Sequence, residues 1–181
     1  MDEQPSLVTE RLLLRPFQST DAARVQLLAG NPNVAGMTTH IPYPYADGEA
    51  ENWIATHAGN WQRGSAVTFA VCLRTGSELI GAVGLMTINN GEAELGYWIA
   101  EPHWGQGYAS EAVDTLIGFG ITSCELTRIH AGHFSRNPAS GKVLKNAGFR
   151  RIRKGSITAR DGVTQEDAVF YELLLTDEVL E

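Results

Sequence analysis

The sequence predicts a mixed α/β domain with a central, mostly antiparallel and twisted sheet of about six or seven strands, flanked by about four helices. Two tight turns, Thr75-Gly76-Ser77 and Asn90-Gly91, join three consecutive strand-like segments. The third of these segments leads into a glycine-rich turn and a long amphipathic helix, so that residues 93 to 123 read as strand, turn and helix. Because no linker, repeat or low-complexity segment divides the chain, residues 1–181 are expected to form a single domain.

The N-terminal part is predicted to contain one strand and two helices. Residues 12–14 read as a strand that Pro16 stops. The Ser19-Thr20-Asp21 cluster caps a short helix, with Leu27 among its apolar positions, that ends near Gly30. Residues 41–45 hold two prolines and are therefore a loop. The second helix has Asp47 as its expected cap, Gly64 as its stop and four positions at helical spacing: Trp53, Ile54, His57 and Trp61.

The remaining segments alternate between strands and helices. Strands are predicted at residues 67–74, 78–87, 92–100, 128–134, 149–157 and 169–175. A helix is predicted from Ser110 to about Ser123. Another begins with Asn137 as its N-cap and Pro138 in its first turn, and runs to Asn146 before Gly148.

Composition limits the classes of function. Apolar residues make up 43% of the chain and charged residues 19%, which is typical of a soluble globular protein. The net charge of −7 argues against general DNA or RNA binding, since such proteins usually have a basic surplus. The acidic N-terminus lacks a signal-peptide core, and the longest apolar stretch, residues 79–86, is far shorter than the ~20 residues that span a bilayer. A cytoplasmic protein that does not enter the membrane is expected.

Cysteine and histidine spacing predicts no disulfide and no metal site. Cys72 and Cys124 lack CxxC spacing and are expected to be free thiols. His130 and His133 lie on a predicted strand without a neighbouring cysteine or carboxylate to complete a metal site.

The glycine-rich turn has the features of an anion site. Its residues are Gly105, Gln106, Gly107, Tyr108, Ala109 and Ser110. The first N–H groups of a helix lack internal partners and the helix dipole favours a phosphate there, while the glycines allow close approach to the main chain. A dinucleotide fingerprint would need a third glycine after an early strand, and a P-loop would need G-K-[ST]. A turn that only caps a helix is the alternative left open.

Four collinear segments carry a resemblance to a known family. Trp104-Gly105-Gln106-Gly107-Tyr108-Ala109 resembles the pyrophosphate loop [QR]-x-x-G-x-[GA] of the GNAT superfamily of acetyl-CoA-dependent N-acetyltransferases. Together with three other segments it is similar to the RimJ/RimL-type branch, which acetylates protein N-termini. Those segments are Thr9-Glu10-Arg11-Leu12 with Leu14-Arg15-Pro16-Phe17, Glu94-Leu95-Gly96-Tyr97-Trp98, and Asn137-Pro138-Ala139-Ser140 through Gly148-Phe149. Trp104 departs from the family pattern, so the ordering role of Gln or Arg there must pass to an aromatic ring or to the backbone.

The resemblance implies a place for acetyl-CoA. Its pyrophosphate would lie on the N–H groups of residues 105–110, and its pantetheine arm between the strands at 92–100 and 128–134. Main-chain groups near Trp98 and Ile99 would pair with the pantetheine amides, as an added strand pairs with an open edge. Gly96 is a candidate bulge that splays these strands apart.

The same resemblance assigns roles to individual side chains. Glu94 is the candidate general base, acting directly or through a water, with the alternative that it points to solvent beside Glu92. Asn137 is both an N-cap and a candidate cofactor ligand. Ser140 is the candidate donor of a proton to the departing thiolate, or only a serine of a first helical turn. Lys142 could meet the 3′-phosphate of the cofactor, or simply be an exposed helix lysine.

The predicted function is acetyl transfer from acetyl-CoA to a primary amine by direct attack on the thioester, with no metal. The expected acceptor is a protein N-terminus; the alternatives are a small-amine, amino-acid or antibiotic acetyltransferase, or a sensor that binds acyl-CoA without turnover. Residues 41–45 with Asp47, Glu49 and Glu51 either shape an acceptor cleft or form an ordinary connection. A basic run is either a solvated strand edge or a contact for an acidic partner such as ribosomal RNA: Arg150, Arg151, Arg153 and Lys154. The sequence leaves the oligomeric state and the acceptor open.

Overall fold

The computed structural model describes residues 3–175, which form one eight-stranded sheet in the order β1-β2-β3-β4-β5-β6-β8-β7. The strands are β1 (Leu7–Val8), β2 (Leu12–Pro16), β3 (Val67–Leu73), β4 (Leu79–Asn89), β5 (Glu92–Ile99), β6 (Arg128–Phe134), β7 (Arg150–Thr158) and β8 (Gln165–Leu174). The helices are α1 (Ala22–Ala29), α2 (Pro32–Ala35), α3 (Glu49–Gln62), α4 (Tyr108–Cys124) and α5 (Pro138–Asn146), with 3-10 turns at Ser19–Asp21 and Glu101–His103. Met1 and Asp2, at the acidic start of the chain, lie outside the described residues.

The mixed α/β class with a mostly antiparallel sheet is confirmed. Every strand pair is antiparallel except β5 with β6. The sheet has eight strands and the described chain has five α-helices, more than the predicted six or seven strands and four helices. The two additional elements are β1, with two residues, and α2, with four. Segments of that length are too short to show hydrophobic periodicity.

Helices cover both faces of the sheet. Strand side chains alternate between the faces, so β2 to β5 contribute to two cores. The larger core packs α4 and α5 against one face and includes Leu85, Leu95, Leu116 and Leu144. The smaller core packs α1 and α3 against the other face. The site described below lies where β5 and β6 pass between these layers.

Two local predictions are wrong. Asp47 does not cap α3, because Gly48 takes the N-cap position in the left-handed region (φ 85°) and the Asp47 carboxylate accepts a hydrogen bond from Gln26 Nε2 (2.9 Å). Leu27 lies on the outer side of α1 with 68% of its surface exposed. The hairpin at Asn90-Gly91 is confirmed, since both residues have the positive φ values of a type I′ turn.

Candidate active site

A fissure opens between β5 and β6. The two strands pair in parallel at only three positions, the last being Glu94 with His130. Beyond that point β5 stays paired with β4 as far as Ile99, and β6 stays paired with β8 as far as Phe134. The strands therefore diverge and leave facing edges without a common ladder.

Gly96 does not cause this divergence, contrary to the predicted bulge. The β4–β5 register runs unbroken through the pair Gly84–Gly96, and its irregularity lies between Met86 and Asn89. A Cβ atom on Gly96 would lie 2.8 Å from Cε of Met86. Gly96 therefore makes room for the Met86 side chain rather than bending the strand.

The main-chain groups of β5 divide between β4 and the fissure. The Ala100 N–H donates to the Ile80 carbonyl at 2.8 Å, whereas the Gly91 carbonyl accepts from Thr127 N–H at 2.7 Å on the β6 side. Because main-chain groups alternate along an antiparallel strand, Trp98 faces β4 and Ile99 faces the fissure. Of the two predicted pantetheine contacts, Ile99 thus has its main chain at the open edge.

Trp104 is tied to that edge. Its indole Nε1 donates to the Ile99 carbonyl at 2.6 Å, while 45% of the Trp104 surface stays exposed. The aromatic residue that departs from the family pattern therefore fixes the chain between the end of β5 and the glycine-rich loop.

The glycine-rich loop leads directly into α4. Gly105 and Gly107 both adopt positive φ (73° and 82°), and Gly107 is the N-cap. Since Gly107 makes the turn, α4 begins at Tyr108, two residues before the predicted Ser110. No side chain of the described residues caps this helix, so the first-turn N–H groups of Tyr108, Ala109 and Ser110 remain available to an anion.

The Arg11 side chain contacts both the glycine-rich loop and the first turn of α4. Its Nη1 donates to the Gln106 carbonyl at 2.8 Å, its Nε pairs with Glu111 Oε2 at 2.7 Å, and its guanidinium carbon lies 4.8 Å from the centre of the Tyr108 ring. Partial burial opposes ionisation of Glu111, but hydrogen bonds from Thr9 and Arg11 outweigh it and lower the pKa of that carboxyl group. Arg11 therefore supplies a second ordering contact, on the loop carbonyl of Gln106, besides the Trp104–Ile99 hydrogen bond. Arg11 belongs to the segment Thr9-Glu10-Arg11-Leu12 that resembles the family, but the sequence predicted no role for its side chain.

The far side of the fissure is formed by the start of α5. Asn137 is the N-cap as predicted: its Oδ1 accepts the Ser140 N–H at 3.2 Å. The Ser140 hydroxyl lies 2.7 Å from the Tyr97 hydroxyl, which also donates to the Ser140 carbonyl at 3.1 Å. Burial raises the pKa of Tyr97 to about 12, so this phenol is neutral at physiological pH. Lys142 is exposed on α5.

Tyr97 is a second site residue for which no role was predicted. The alternation of β5 places its side chain on the face shared by Leu95 and Ile99, towards α5. The Tyr97–Ser140 contact therefore spans the fissure, between residues 43 positions apart in the chain. A tyrosine two residues after a buried leucine was the only local signal.

Glu94 lies on the opposite face of the sheet and lines a cavity of about 920 Å³. Its carboxylate has no hydrogen bond or ion pair within residues 3–175, whereas neighbouring Glu92 contacts Arg128 and His130, both at 3.3 Å. Thr39 and His40 form part of the cavity wall, and residues 41–45 do not. Glu94 is thus an exposed, unpaired carboxylate at the last paired position of β5 and β6.

The described residues hold neither a metal centre nor a membrane span. No three His, Cys, Asp or Glu side chains among them come together as metal ligands would. The His133 ring has its Nδ1 2.8 Å from the Phe134 carbonyl, in a buried position. None of the helices in this range is long and apolar enough to cross a bilayer.

These features define a class of protein: a single-sheet α/β domain with an anion-binding helix start at one end of a split sheet and a free carboxylate beside the split. Comparison with known proteins places the chain more closely. Residues 11–150 match the family model described as an acetyltransferase (GNAT) domain. The chain belongs to this family and is an acetyl-CoA-dependent N-acetyltransferase, and it is similar to members of the RimJ/RimL-type branch.

Three relatives illustrate the match. The chain is 34% identical to the uncharacterised N-acetyltransferase p20 of Bacillus licheniformis over 148 residues, which cover 81% of this chain and 83% of that protein. It is 39% identical over 90 residues, 49% of each chain, to the ribosomal-protein-serine acetyltransferase of Escherichia coli. The structure of Mycobacterium smegmatis RimJ in complex with CoA-disulfide has the same fold, with a TM-score of 0.79 and 23% identity over 93% of this chain and 83% of that one.

Proposed function

We propose that the protein acetylates the N-terminal α-amine of a protein acceptor. The observation that carries the proposal is the unpaired Glu94 carboxylate, which lines an open cavity at the point where β5 and β6 separate. A cavity of about 920 Å³ can admit the end of a peptide chain. The similarity to the ribosomal-protein-serine acetyltransferase supports an acceptor of this kind.

In this proposal acetyl-CoA lies along the fissure. Its pyrophosphate meets the N–H groups of residues 105–110, where the helix dipole and free donors favour negative charge. The pantetheine amides pair with the β5 edge at Ile99. In this structure the Ile99 carbonyl accepts a hydrogen bond from the Trp104 indole. Asn137 borders the same fissure at the start of α5, and Lys142 is exposed on that helix for the 3′-phosphate.

The chemistry requires a neutral amine and a protonated leaving group. A free α-amine has a pKa near 8 and is mostly protonated at neutral pH, so Glu94 attracts the ammonium group and accepts its proton, directly or through a water. The amine nitrogen then attacks the thioester carbon and the carbon–sulfur bond breaks. Ser140, held in place by the neutral Tyr97 hydroxyl, gives its hydroxyl proton to the departing thiolate. Its oxygen then regains a proton from the newly acylated nitrogen, which loses its second proton and becomes a neutral amide.

We also propose a cytoplasmic location. Cys72 and Cys124 are free thiols, and disulfides are rare in that reducing compartment.

The test is release of free thiol from acetyl-CoA in the presence of peptides that differ in their first residue, polyamines and aminoglycosides. We expect turnover with peptides, and a Glu94→Gln variant that loses about 10²-fold to 10⁴-fold in kcat/KM at pH 7. The loss should shrink towards pH 9, because the free amine then deprotonates without help.

Glu92→Gln is the matched control, since Glu92 lines the same cavity but is already paired. It should retain most of the activity. Full turnover of Glu94→Gln from pH 6 to 9 would remove Glu94 from the reaction. Turnover with polyamines or aminoglycosides alone would redirect the acceptor to small amines, and acetyl-CoA binding without any thiol release would indicate a sensor.

A further inference from the structure

The acceptor cavity has one cationic side chain whose charge is not neutralised within the described residues. The formally charged side chains that line it are Glu92, Glu94 and Arg153. We propose that Arg153 binds a carboxylate near the start of the acceptor, so that the preferred substrates are N-terminal peptides with an acidic residue at position 2, 3 or 4. This inference rests on the proposed function and specifies its substrate.

A β-bulge directs Arg153 into the cavity. The register between β7 and β8 shifts between Arg151, which pairs with Tyr171, and Arg153, which pairs with Phe170. In a regular strand without the bulge, Arg151 and Arg153 would project from the same face, because they are two residues apart. With it, Arg151 lies on the face of Tyr171, towards the larger core, and Arg153 joins Phe170 on the cavity side.

The Arg153 guanidinium is held in a defined position. Its central carbon lies 3.7 Å from the centre of the Phe170 ring, which is close cation–π contact. A Cβ atom on Gly155 would lie 2.5 Å from Nη1 of Arg153, so a larger residue there would displace the guanidinium. Stacking occupies the face of the guanidinium and leaves its N–H edge free for a carboxylate.

Three other arginines of this region have acidic partners, whereas Arg151 has none among the described residues. Arg128 pairs with Glu92, Arg136 with Glu166 and Arg150 with Glu172. Arg153 has no carboxylate partner within residues 3–175, although it lies on the same strand and face as Arg150. A carboxylate from the acceptor would give Arg153 the kind of partner that Arg128, Arg136 and Arg150 already have.

The distance between Glu94 and Arg153 fits a short peptide. The two positions are separated by three strand spacings across β6 and β8 and by two residues along the sheet. This corresponds to about 16 Å between their Cα atoms, at about 4.8 Å per strand spacing and about 3.3 Å per residue. Both side chains extend into the same cavity and shorten the gap, so an amine at Glu94 brings the second to fourth residues of an extended peptide within reach of Arg153.

The experiment measures kcat/KM for peptides with amidated C-termini that share one sequence except for a single Asp, placed at position 2, 3, 4 or 8. We expect the Asp to raise kcat/KM about 10-fold at position 2, 3 or 4 and to have no effect at position 8, because a charge-assisted hydrogen bond to a fixed guanidinium acts locally. Arg153→Gln should abolish that preference, so that the variant acetylates the Asp-containing and the neutral peptides at equal rates. Arg153→Glu should favour Lys at the same position.

Arg151→Gln is the matched control, since it removes the same charge from the other face of the same strand and should leave the preference intact. If Arg151→Gln lost the preference for Asp as completely as Arg153→Gln, the overall charge and not a binding contact would set the preference, and the inference would fall. Equal rates on all peptides in the wild type would also overturn it, with the proposed function intact. Failure to acetylate any peptide would instead refute the proposed function.

Discussion

At the scale of single residues, His57 is a buried titratable group that the site does not use. It lies on α3 and packs against the rings of Phe17 and Trp53, at centroid distances of 5.2 and 4.5 Å, and only 7% of its surface is exposed. Neither ring nitrogen has a hydrogen-bond partner within the described residues. Burial lowers the pKa of His57 to about 4, so the ring is neutral in the folded protein at physiological pH.

His57 should make stability depend on pH between about 6.5 and 4. In this range the unfolded chain binds a proton on His57 that the folded chain excludes, so stability is complete above pH 6.5 and is lost as the pH falls towards 4. The full effect is about 3 kcal/mol. In His57→Leu, urea unfolding at pH 7 and pH 4.5 should show a smaller loss on acidification and a higher stability at pH 7, because unpaired polar atoms are removed.

A matched control is His103→Leu, since His103 is only partly buried. Its loss of stability between the two pH values should equal that of the wild type. If His57→Leu were as sensitive to acid as the wild type, other groups would be responsible for that loss.

The site residues divide by how local their signal is. Asn137 and the glycines at 105 and 107 have local roles, as an N-cap and as positive-φ turns, and could be identified from adjacent residues. Arg11 and Tyr97 act through contacts with residues 95 and 43 positions away. Such contacts depend on the order of strands in the sheet, which hydrophobic periodicity does not encode.

At the scale of elements, the start of α4 depends on the segment just before β2. Arg11 ties the Gln106 carbonyl and Glu111 to this segment. We expect Arg11→Met to leave the anion-binding N–H groups in place but less well ordered, so that KM for acetyl-CoA rises about 3-fold to 10-fold while KM for the acceptor is unchanged, because ordering a loop on binding costs affinity. Steady-state kinetics with each substrate varied in turn measures both constants.

Arg24→Met serves as the control for Arg11→Met. Arg24 forms an exposed ion pair with Glu78, away from the glycine-rich loop. It should leave both KM values unchanged, since exposed ion pairs contribute little to stability. An Arg11→Met enzyme with wild-type KM for acetyl-CoA would show that the loop is ordered without this clamp.

Sequence patterns were reliable where an element fills several turns or a full strand. β6 and α5 have the predicted bounds, residues 128–134 and 138–146. The start of α4 and the cap of α3 differed because Gly107 and Gly48 adopt left-handed conformations that end the preceding turn. The β7 bulge was likewise absent from the prediction, since one extra residue changes the face of Arg153 without changing the composition of the strand.

At the scale of the whole molecule, the fissure divides the sheet between β1 to β5 and β6 to β8. Three residue pairs of the β5–β6 ladder and the Tyr97–Ser140 contact join the two parts across it. Acetyl-CoA bound in the fissure would contact β5 and α4 on one side and α5 on the other. It should therefore stabilise the folded protein as a whole, as any ligand specific for the folded state does.

We expect acetyl-CoA at 100 times its Kd to add about 2.7 kcal/mol to the free energy of unfolding and to raise Tm by about 5 to 10 °C, whereas NAD should leave Tm unchanged.

Ser140→Ala should show a similar rise in Tm with acetyl-CoA but a lower kcat, because the hydroxyl acts on the departing thiolate rather than on binding. Differential scanning calorimetry and thiol release measure the two effects separately. Stabilisation by NAD but not by acetyl-CoA would contradict the position of the ligand in the fissure. Unchanged kcat in Ser140→Ala would leave that serine as an ordinary member of the first turn of α5.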